Sequence, residues 1–334
     1  MDYEEIIEQI KSGLTGDIHA DLVYLEQQAA HYKTHEDGLR IAEEISNTAY
    51  SILPEDRREE VNRALFYDGV RLDHLFEEAR KAVDIKEFGR AIENMKNVTD
   101  TLSEHFADTP ERRYITFRSP LEYQLYNLIF KPEHPPYRPP FNMSEMYRFY
   151  GFLLLQARQI TDSVAVLEKA IRHNPMNSNA YLELCEAHKL MKNAPALLEI
   201  TKSAAKIAAS SAVLAACYAN MGFYCFMVKD YSSAVCFYCH SLKLHNNPKI
   251  TADLSVVRQA LGTGLEVPAK AEIYAAFRKY DMRPGANDVI ITAAYELGLE
   301  LLEKQQLQPA KYCLGIAYDL TNDEEIGKMV RQIK

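Results

Sequence analysis

Apolar residues return every third or fourth position along most of this chain, the spacing of a helix with one buried face. Ile18, Leu22, Leu25, Ala29 and Tyr32 make one such stripe, and Ala42, Ile45, Ala49 and Ile52 make another that stops before Pro54. Asp2 is placed to cap a shorter helix that ends near Ser12-Gly13. The clusters GLTGD (13–17) and THEDG (34–38) read as the turns between these helices. A fourth helical stretch is expected from Glu55, broken at Gly69 and running on toward Leu75. Residues 1–70 therefore read as a helical segment without internal repetition.

From residue 71 to 334 the stripes come in pairs. In 215–248 the small and large residues fall where two antiparallel helices touch: Tyr218, Met221, Gly222 and Cys225 on one, and Ala234, Tyr238 and Ser241 on the other, with Lys229-Asp230 as the turn and Pro248 at the end. This arrangement resembles the tetratricopeptide repeat (TPR), a 34-residue helical hairpin with aromatic, leucine, glycine, alanine and proline positions at set offsets. Unit 144–177 resembles it through Tyr147, Tyr150, Gly151 and Leu154, then Ser163, Leu167, Ala170 and Pro175. Unit 178–211 has Tyr181, Leu184, Leu197, Thr201 and Ala204. It carries Cys185 in place of the glycine and a turn marked by Pro195, so an irregular crossing angle is expected there.

Unit 291–324 has Ala294, Leu297, Gly298 and Leu301 facing Ala310, Leu314 and Ala317. Unit 72–105 is weaker, with Leu75, Ala79 and Ala82 answering Ala91, Met95 and Val98. Unit 249–286 is a degenerate pair: a helix near Ile250–Leu261, a Gly262-Thr263-Gly264 break, and a helix opened by Pro268. Gly151, Gly222 and Gly298 lie 71 and 76 residues apart, close to two repeats each. Glycine inside a helix costs about 1 kcal/mol relative to alanine, so its recurrence requires a packing reason: a neighbouring helix that comes close. The implied fold class is all-α, a TPR-like solenoid of helical hairpins behind a non-repeat N-terminal segment.

Residues 106–143 interrupt the rhythm with seven of the fourteen prolines in the chain. Within this proline-rich insertion Tyr114–Phe117 favours an extended segment. Ser119-Pro120-Leu121-Glu122 is a capping box opening a short helix that carries Leu121, Leu125, Leu128 and Ile129, and PEHPPYRPPF is a stiff link. It reads as a brace packed on the solenoid, with a ligand-contacting arm as the second possibility.

Composition narrows the function. With 38 Lys+Arg against 47 Asp+Glu, the net charge of −9 and the lack of any basic run argue against nucleic acid as a partner. No apolar run is long enough to cross a membrane, and the acidic start, MDYEEIIEQIK, lacks the features of an export signal. A cytoplasmic protein with six reduced cysteines, at 185, 217, 225, 236, 239 and 313, is expected. Cys236-Phe237-Tyr238-Cys239-His240 has the C-x-x-C-H spacing of covalent haem attachment, but the repeat already explains Tyr238 and Ser241 as packing positions. Cys225, Cys236, Cys239 and His240 would make a zinc set only without the tight loop such sites use. Paired acids such as Glu43-Glu44 and Glu77-Glu78 diverge around a helix, and Gly262-Thr263-Gly264 lacks the lysine of a phosphate loop. No catalytic residue, cofactor or metal is expected, and the protein reads as a binder rather than an enzyme.

The TPR resemblance implies a concave groove lined by the first helices. Its positions fall on Arg148, Phe152, Leu155 and Gln156; on Asn179, Leu182, Glu186 and Lys189; on Ala219, Phe223, Phe226 and Met227; and on Tyr295, Leu299 and Leu302. The lysine, asparagine and arginine set of the TPR subgroup that grips terminal carboxylates is missing, and the middle of the groove is apolar and aromatic. Two readings stay open for Phe223, Phe226 and Met227: the chain's own N-terminal helices or insertion lie there, or the groove is open to a partner. The function implied is a protein or peptide interaction scaffold. The alternative is a peptide-responsive regulator whose N-terminal helices act as effector module.

Overall fold

The computed structural model describes residues 3–32, 35, 37–262 and 266–333. They form eighteen helices and one two-stranded hairpin, divided into two compact units, Met1–Leu72 and Asp73–Lys334. Asp2, Thr34, Glu36, Thr263 and Gly264, to which the sequence assigns a cap or a turn, lie outside the described residues.

The first unit contains α1 (Tyr3–Ser12), α2 (Ile18–His31), α3 (Gly38–Ile52) and α4 (Glu55–Leu65). Its core is Ile6, Ile10, Leu25, Ile41 and Ile45. The buried face of α3 is thus headed by Ile41 and not by Ala42, which is exposed. Asp21 gathers the turn before α2, accepting from the Thr15 backbone N–H at 2.7 Å, the Thr15 hydroxyl at 2.9 Å and the Gly16 N–H at 2.9 Å. The fourth helix does not run on toward the repeats. It ends at Leu65, and β1 (Phe66–Tyr67) pairs antiparallel with β2 (Val70–Arg71). Asp68 and Gly69 both take positive φ, 50° and 76°, the conformation a two-residue hairpin loop requires.

The second unit is a stack of helical hairpins. α5 (Leu72–Asp84) and α6 (Phe88–His105) bury Leu75, Ala79, Ala82, Ala91, Met95 and Val98. Next come α8 (Met143–Gln156) with α9 (Ile160–His173), α10 (Ser178–Leu190) with α11 (Ala194–Lys206), and α12 (Ser211–Met227) with α13 (Tyr231–Leu244). Later in the chain α16 (Asp288–Glu303) pairs with α17 (Leu307–Thr321).

One register runs through these pairs. A Cβ added to Gly151 would lie 2.6 Å from the Leu167 side chain, one on Gly222 2.8 Å from the Tyr238 ring, and one on Gly298 2.7 Å from Leu314. Each partner is sixteen residues on, and Cys185 meets Thr201 at the same offset, Sγ to Oγ1 3.5 Å. The glycines are notches into which the second helix sets a large side chain. The Ser144 hydroxyl donates to the Ala170 carbonyl, and the Ser241 hydroxyl donates to the Ala215 carbonyl, each at 2.7 Å: the same two repeat positions with the donor exchanged.

The turns repeat as closely. Lys86, Arg158, Lys192, Lys229 and Gln305 all take left-handed backbone, φ between 55° and 65°, each seven residues after its notch position. The following residue donates its N–H five residues back at 2.7–3.0 Å: Glu87 to Ala82, Gln159 to Leu154, Asn193 to His188, Asp230 to Cys225 and Gln306 to Leu301. This closing bond of a Schellman turn satisfies carbonyls that the helix end leaves unpaired. The 178–211 hairpin shares the turn, and Pro195 sits in the first turn of α11 rather than in the loop.

Three segments differ from expectation. α14 (Pro248–Leu261) and α15 (Lys270–Lys279) each pack on α13 and leave a cleft of about 570 Å³ bounded by Cys236, Leu261, Val267 and Ala276. In the insertion, α7 (Pro120–Phe130) is capped by Ser119, whose hydroxyl accepts from the Glu122 N–H at 3.2 Å, but the Glu122 carboxylate reaches back to the Arg118 N–H. Its buried face is Leu121, Leu125 and Tyr126, whereas Leu128 is exposed. A last helix, α18 (Glu324–Gln332), is capped by Asp323 and packs on α17, with Gly327 against the Tyr318 ring. The acids 323–325 belong to the start of that helix.

The insertion runs along one edge of the stack. Tyr114 pairs with Tyr137, the Thr116 N–H donates to the His173 carbonyl at 2.9 Å, and Asp108 accepts from Arg172 Nε at 2.7 Å. α7 packs on α16, and Ile115, Leu121, Leu125 and Tyr126 share a core with Met176, Tyr181, Ile207, Cys217, Ile290 and Ala293.

Candidate functional site

Of the first helices, α10 packs on both α8 and α12, and the structure joins several of the candidate positions on them directly. Arg148 on α8 pairs with Glu145 one turn earlier through both ends of its fork, Nε to Oε2 at 2.8 Å and Nη2 to Oε1. Its Nη1 donates across to Glu183 on α10. The Glu145 contacts outweigh burial, which works the other way, and with Glu183 they make this guanidinium still harder to deprotonate than usual. Glu183 is in the opposite position. Burial pushes its carboxyl up to about 7 against the pull of Arg148, and its second oxygen, Oε2, is buried without a hydrogen-bond partner.

Two turns along α10, Lys189 donates to Glu186 at 2.6 Å and holds its ammonium 5.3 Å from the centre of the Phe223 ring on α12. Phe152 stacks near Phe149 with ring centres 6.5 Å apart, and Phe149 meets Phe76 of α5 edge-on at 5.6 Å. Phe226 lies 5.8 Å from Tyr231. Phe152, Phe223, Phe226 and Met227 are all half-buried, Glu186 and Gln156 are exposed, and Asn179 is exposed at the start of α10.

Tyr295 is not part of these contacts. It belongs with Leu182, Leu302 and the insertion residues Phe117 and Ile129 to the core that α7 and α16 share. The candidate positions therefore divide in two: Leu182 and Tyr295 are half-buried against a cluster to which the insertion contributes, and Lys189 and Phe223 meet each other between α10 and α12. Leu155 is buried between hairpins, with Leu167 and Leu184. Periodicity alone does not find Glu145, Glu183 and Phe149, because they lie one position beside the periodic groove set or one turn before it. The Arg148–Glu183 pair joins residues 35 apart with no local motif.

The C-x-x-C-H residues have structural roles. His240 Nε2 donates to the Pro284 carbonyl at 2.9 Å, and its ring packs edge-on against Phe277. Burial raises both thiols, Cys236 to about 11, whereas a ligand or attachment site needs a thiolate or an accessible thiol. Cys239 accepts from Arg258 Nη2 at 3.7 Å. Among the described residues, no group of three or more His, Cys, Asp or Glu is arranged to hold a metal, and no helix is long and apolar enough to cross a membrane.

No protein-family model matches the chain, and no curated protein matches it in sequence. Three solved structures resemble it in helical arrangement. YrrB, a TPR protein with an unusual peptide-binding site, is 14% identical over 57% of this chain and 93% of its own, with a TM-score of 0.31. The C-terminal part of a TPR repeat-containing protein from Cytophaga hutchinsonii is 10% identical, covering 92% of this chain and 98% of its own, with a TM-score of 0.38. The APC/C hetero-tetramer Cut9–Hcn1 is 13% identical, covering 95% and 68%, with a TM-score of 0.34. The TPR-like architecture is carried by this chain's own hairpins, whose notch position, sixteen-residue partner and left-handed turn recur in 144–248 and again in 291–324.

Proposed function

We propose that the wall formed by α8, α10 and α12 docks an extended segment of a partner protein or peptide, and that the protein acts by binding rather than by catalysis. The observation that carries this reading is the half-exposed row of Phe152, Phe223, Phe226 and Met227 beside fixed charges, on helices already held rigid by notched hairpins. Rigid walls lose little freedom on binding, so modest contacts are sufficient for useful affinity. The Lys189 ammonium over Phe223 is the kind of contact this wall offers an amphipathic side chain. All six thiols are free, which fits a reducing compartment and the cytoplasmic location proposed here.

Selection of displayed peptides on the full-length protein tests the reading. Peptides enriched on wild type should lose at least tenfold in affinity on Phe223→Asp, with the melting temperature nearly unchanged. A selection that yields no wall-dependent peptide would remove the proposal, and a variant that unfolds would place Phe223 in the core and remove it as well.

A further inference from the structure

The turns that close the hairpins carry a pattern the fold does not require. Glycine takes left-handed backbone with the least penalty and commonly ends a helix this way, yet four hairpins place a cation there: Lys86, Arg158, Lys192 and Lys229. The residue before each is apolar and exposed: Ile85 (62%), Ala157, Met191 (46%) and Val228 (44%). A cation suits the dipole at a helix C-terminus, but that gives no reason for the exposed apolar neighbour that recurs with it. Among the described residues, no carboxylate pairs with any of the four cations. The acids that follow two of them are engaged elsewhere, Glu87 by Arg90 and Asp230 by Lys279 and Tyr280, and Gln159 and Asn193 follow the other two. Hairpin α16/α17 departs from the pattern, with Gln305 at the left-handed position and Lys304 held by Glu300.

The four cations share one edge of the stack. Connections of three or four residues join the packed helices α8 to α13, so neighbours run antiparallel and the turns at Arg158, Lys192 and Lys229 fall on the same side. The Tyr147 hydroxyl meets Thr99 and Ser103 of α6, and Tyr150, one turn on, lies in the field of Lys96, earlier in α6; α6 is therefore antiparallel to α8, and Lys86 joins that side. Packed helices lie about 8–10 Å apart, and α10 touches both α8 and α12, which sets the interval between successive turns. An extended chain advances about 3.3 Å per residue, so it passes one turn for every three residues.

We propose that this turn edge is a second binding surface, for an acidic partner segment that lies extended across the turns with a carboxylate at every third residue. Its carboxylates meet Lys86, Arg158, Lys192 and Lys229, and its apolar side chains lie on Ile85, Met191 and Val228. The edge does not depend on the docking wall. Its cations oppose in sign the −9 of the whole chain, so an acidic segment is drawn here and repelled elsewhere.

The test uses the full-length protein and labelled, capped twelve-residue peptides of one composition, four glutamates, four leucines and four serines, read by fluorescence polarisation. The peptide with glutamate at every third position should bind about tenfold tighter than one with its glutamates in a block, and about tenfold more weakly in 500 mM salt than in 50 mM. Changing Lys86, Arg158, Lys192 and Lys229 together to glycine should lose at least tenfold in affinity and leave thermal stability at the wild-type level, since glycine suits the left-handed turn. Changing the same four to glutamine removes the charge alone and should lose as much, which keeps the test decisive if the glycine variant melts early. Equal binding of the spaced and blocked peptides, binding insensitive to salt, no binding of either, or binding retained by the glutamine variant overturns the proposal. Binding to phosphatidylserine vesicles with no preference between the peptides would assign the edge to a membrane surface and overturn it as well.

Discussion

The hairpin α12/α13 and the pair α14 and α15 are neighbours in sequence, yet only the first is closed on itself. In α12/α13 the eighth position is Gly222, and the Tyr238 ring sixteen residues later fills its notch. In 249–286 the eighth position is Val256, 54% exposed, and the residue sixteen on is Glu272, whose carboxylate caps α15 by accepting from the Ala269 N–H at 2.7 Å. Without a notch and a matching large side chain the two helices have no reason to embrace. Each is captured by α13 instead. α15 is held by Phe277, which packs on Phe237 at 4.5 Å and on Tyr218 at 4.9 Å, and by Asp230, which accepts from Tyr280 at 2.6 Å and Lys279 at 2.8 Å. Helical periodicity thus makes helices, and the notch decides which helices become a pair.

Substitutions can break this contrast. The largest effect is expected at Gly222→Val, which drives a branched side chain into the buried Tyr238 ring; thermal unfolding followed by circular dichroism should show a loss of about 3 kcal/mol. Next, Asp230→Ala should loosen α15 and cost about 1–2 kcal/mol, with faster amide exchange in α15 than in α16. Burial works against the Asp230 charge, but bonds from Lys279, Ser233 and Tyr280 prevail and hold its carboxyl down at about 2. Its contribution is therefore present above the ordinary aspartate range near pH 4 and lost as pH falls toward 2, so acid should reproduce the exchange pattern of the variant.

Smaller effects sharpen the same comparison. At Lys229 the left-handed backbone penalises any side chain, so Lys229→Gly should be neutral or gain up to about 1 kcal/mol, whereas Lys229→Val should lose more than that. Val256→Ala, at the position where the notch is absent, should stay within about 0.5 kcal/mol of wild type.

The same contrast explains what is legible in the sequence. The hairpins of 144–248 and 291–324 are readable because Gly151, Gly222 and Gly298 are chemically conspicuous and lie in phase. The failed pairing of α14 and α15 is readable too, since Val256 and Glu272 occupy the notch and its partner, but periodicity alone counts them as a repeat. Asp68-Gly69 between Phe66-Tyr67 and Val70-Arg71 is a hairpin signal that the helical reading of α4 overrides. In α7 the apolar residues surround the helix almost completely, so only tertiary contact with α16 selects Tyr126 for burial over Leu128.

The candidate site is legible by position and not by pairing. Counting along the repeat reaches Arg148, Lys189 and Phe223. Their partners Glu183 and Glu145, and the removal of Tyr295 into the core beneath the insertion, depend on where separate helices come to lie. The packing of Leu182 and Tyr295 against a cluster that includes Ile115, Leu121, Leu125 and Tyr126 depends on residues 106–143, which follow no repeat.

Gly222 and Phe223 are adjacent on α12 and point about 100° apart, Gly222 buried against Tyr238 and Phe223 half-buried beside Lys189, so their parallel denaturation is decisive. Equilibrium unfolding of Gly222→Val and Phe223→Asp, run side by side on the full-length protein, should show the loss of about 3 kcal/mol for the first and no more than about 1 kcal/mol for the second. Equal collapse of both would mean that Phe223 is core and that no docking wall exists. An undisturbed Gly222→Val would mean that the notch does not hold the hairpin together.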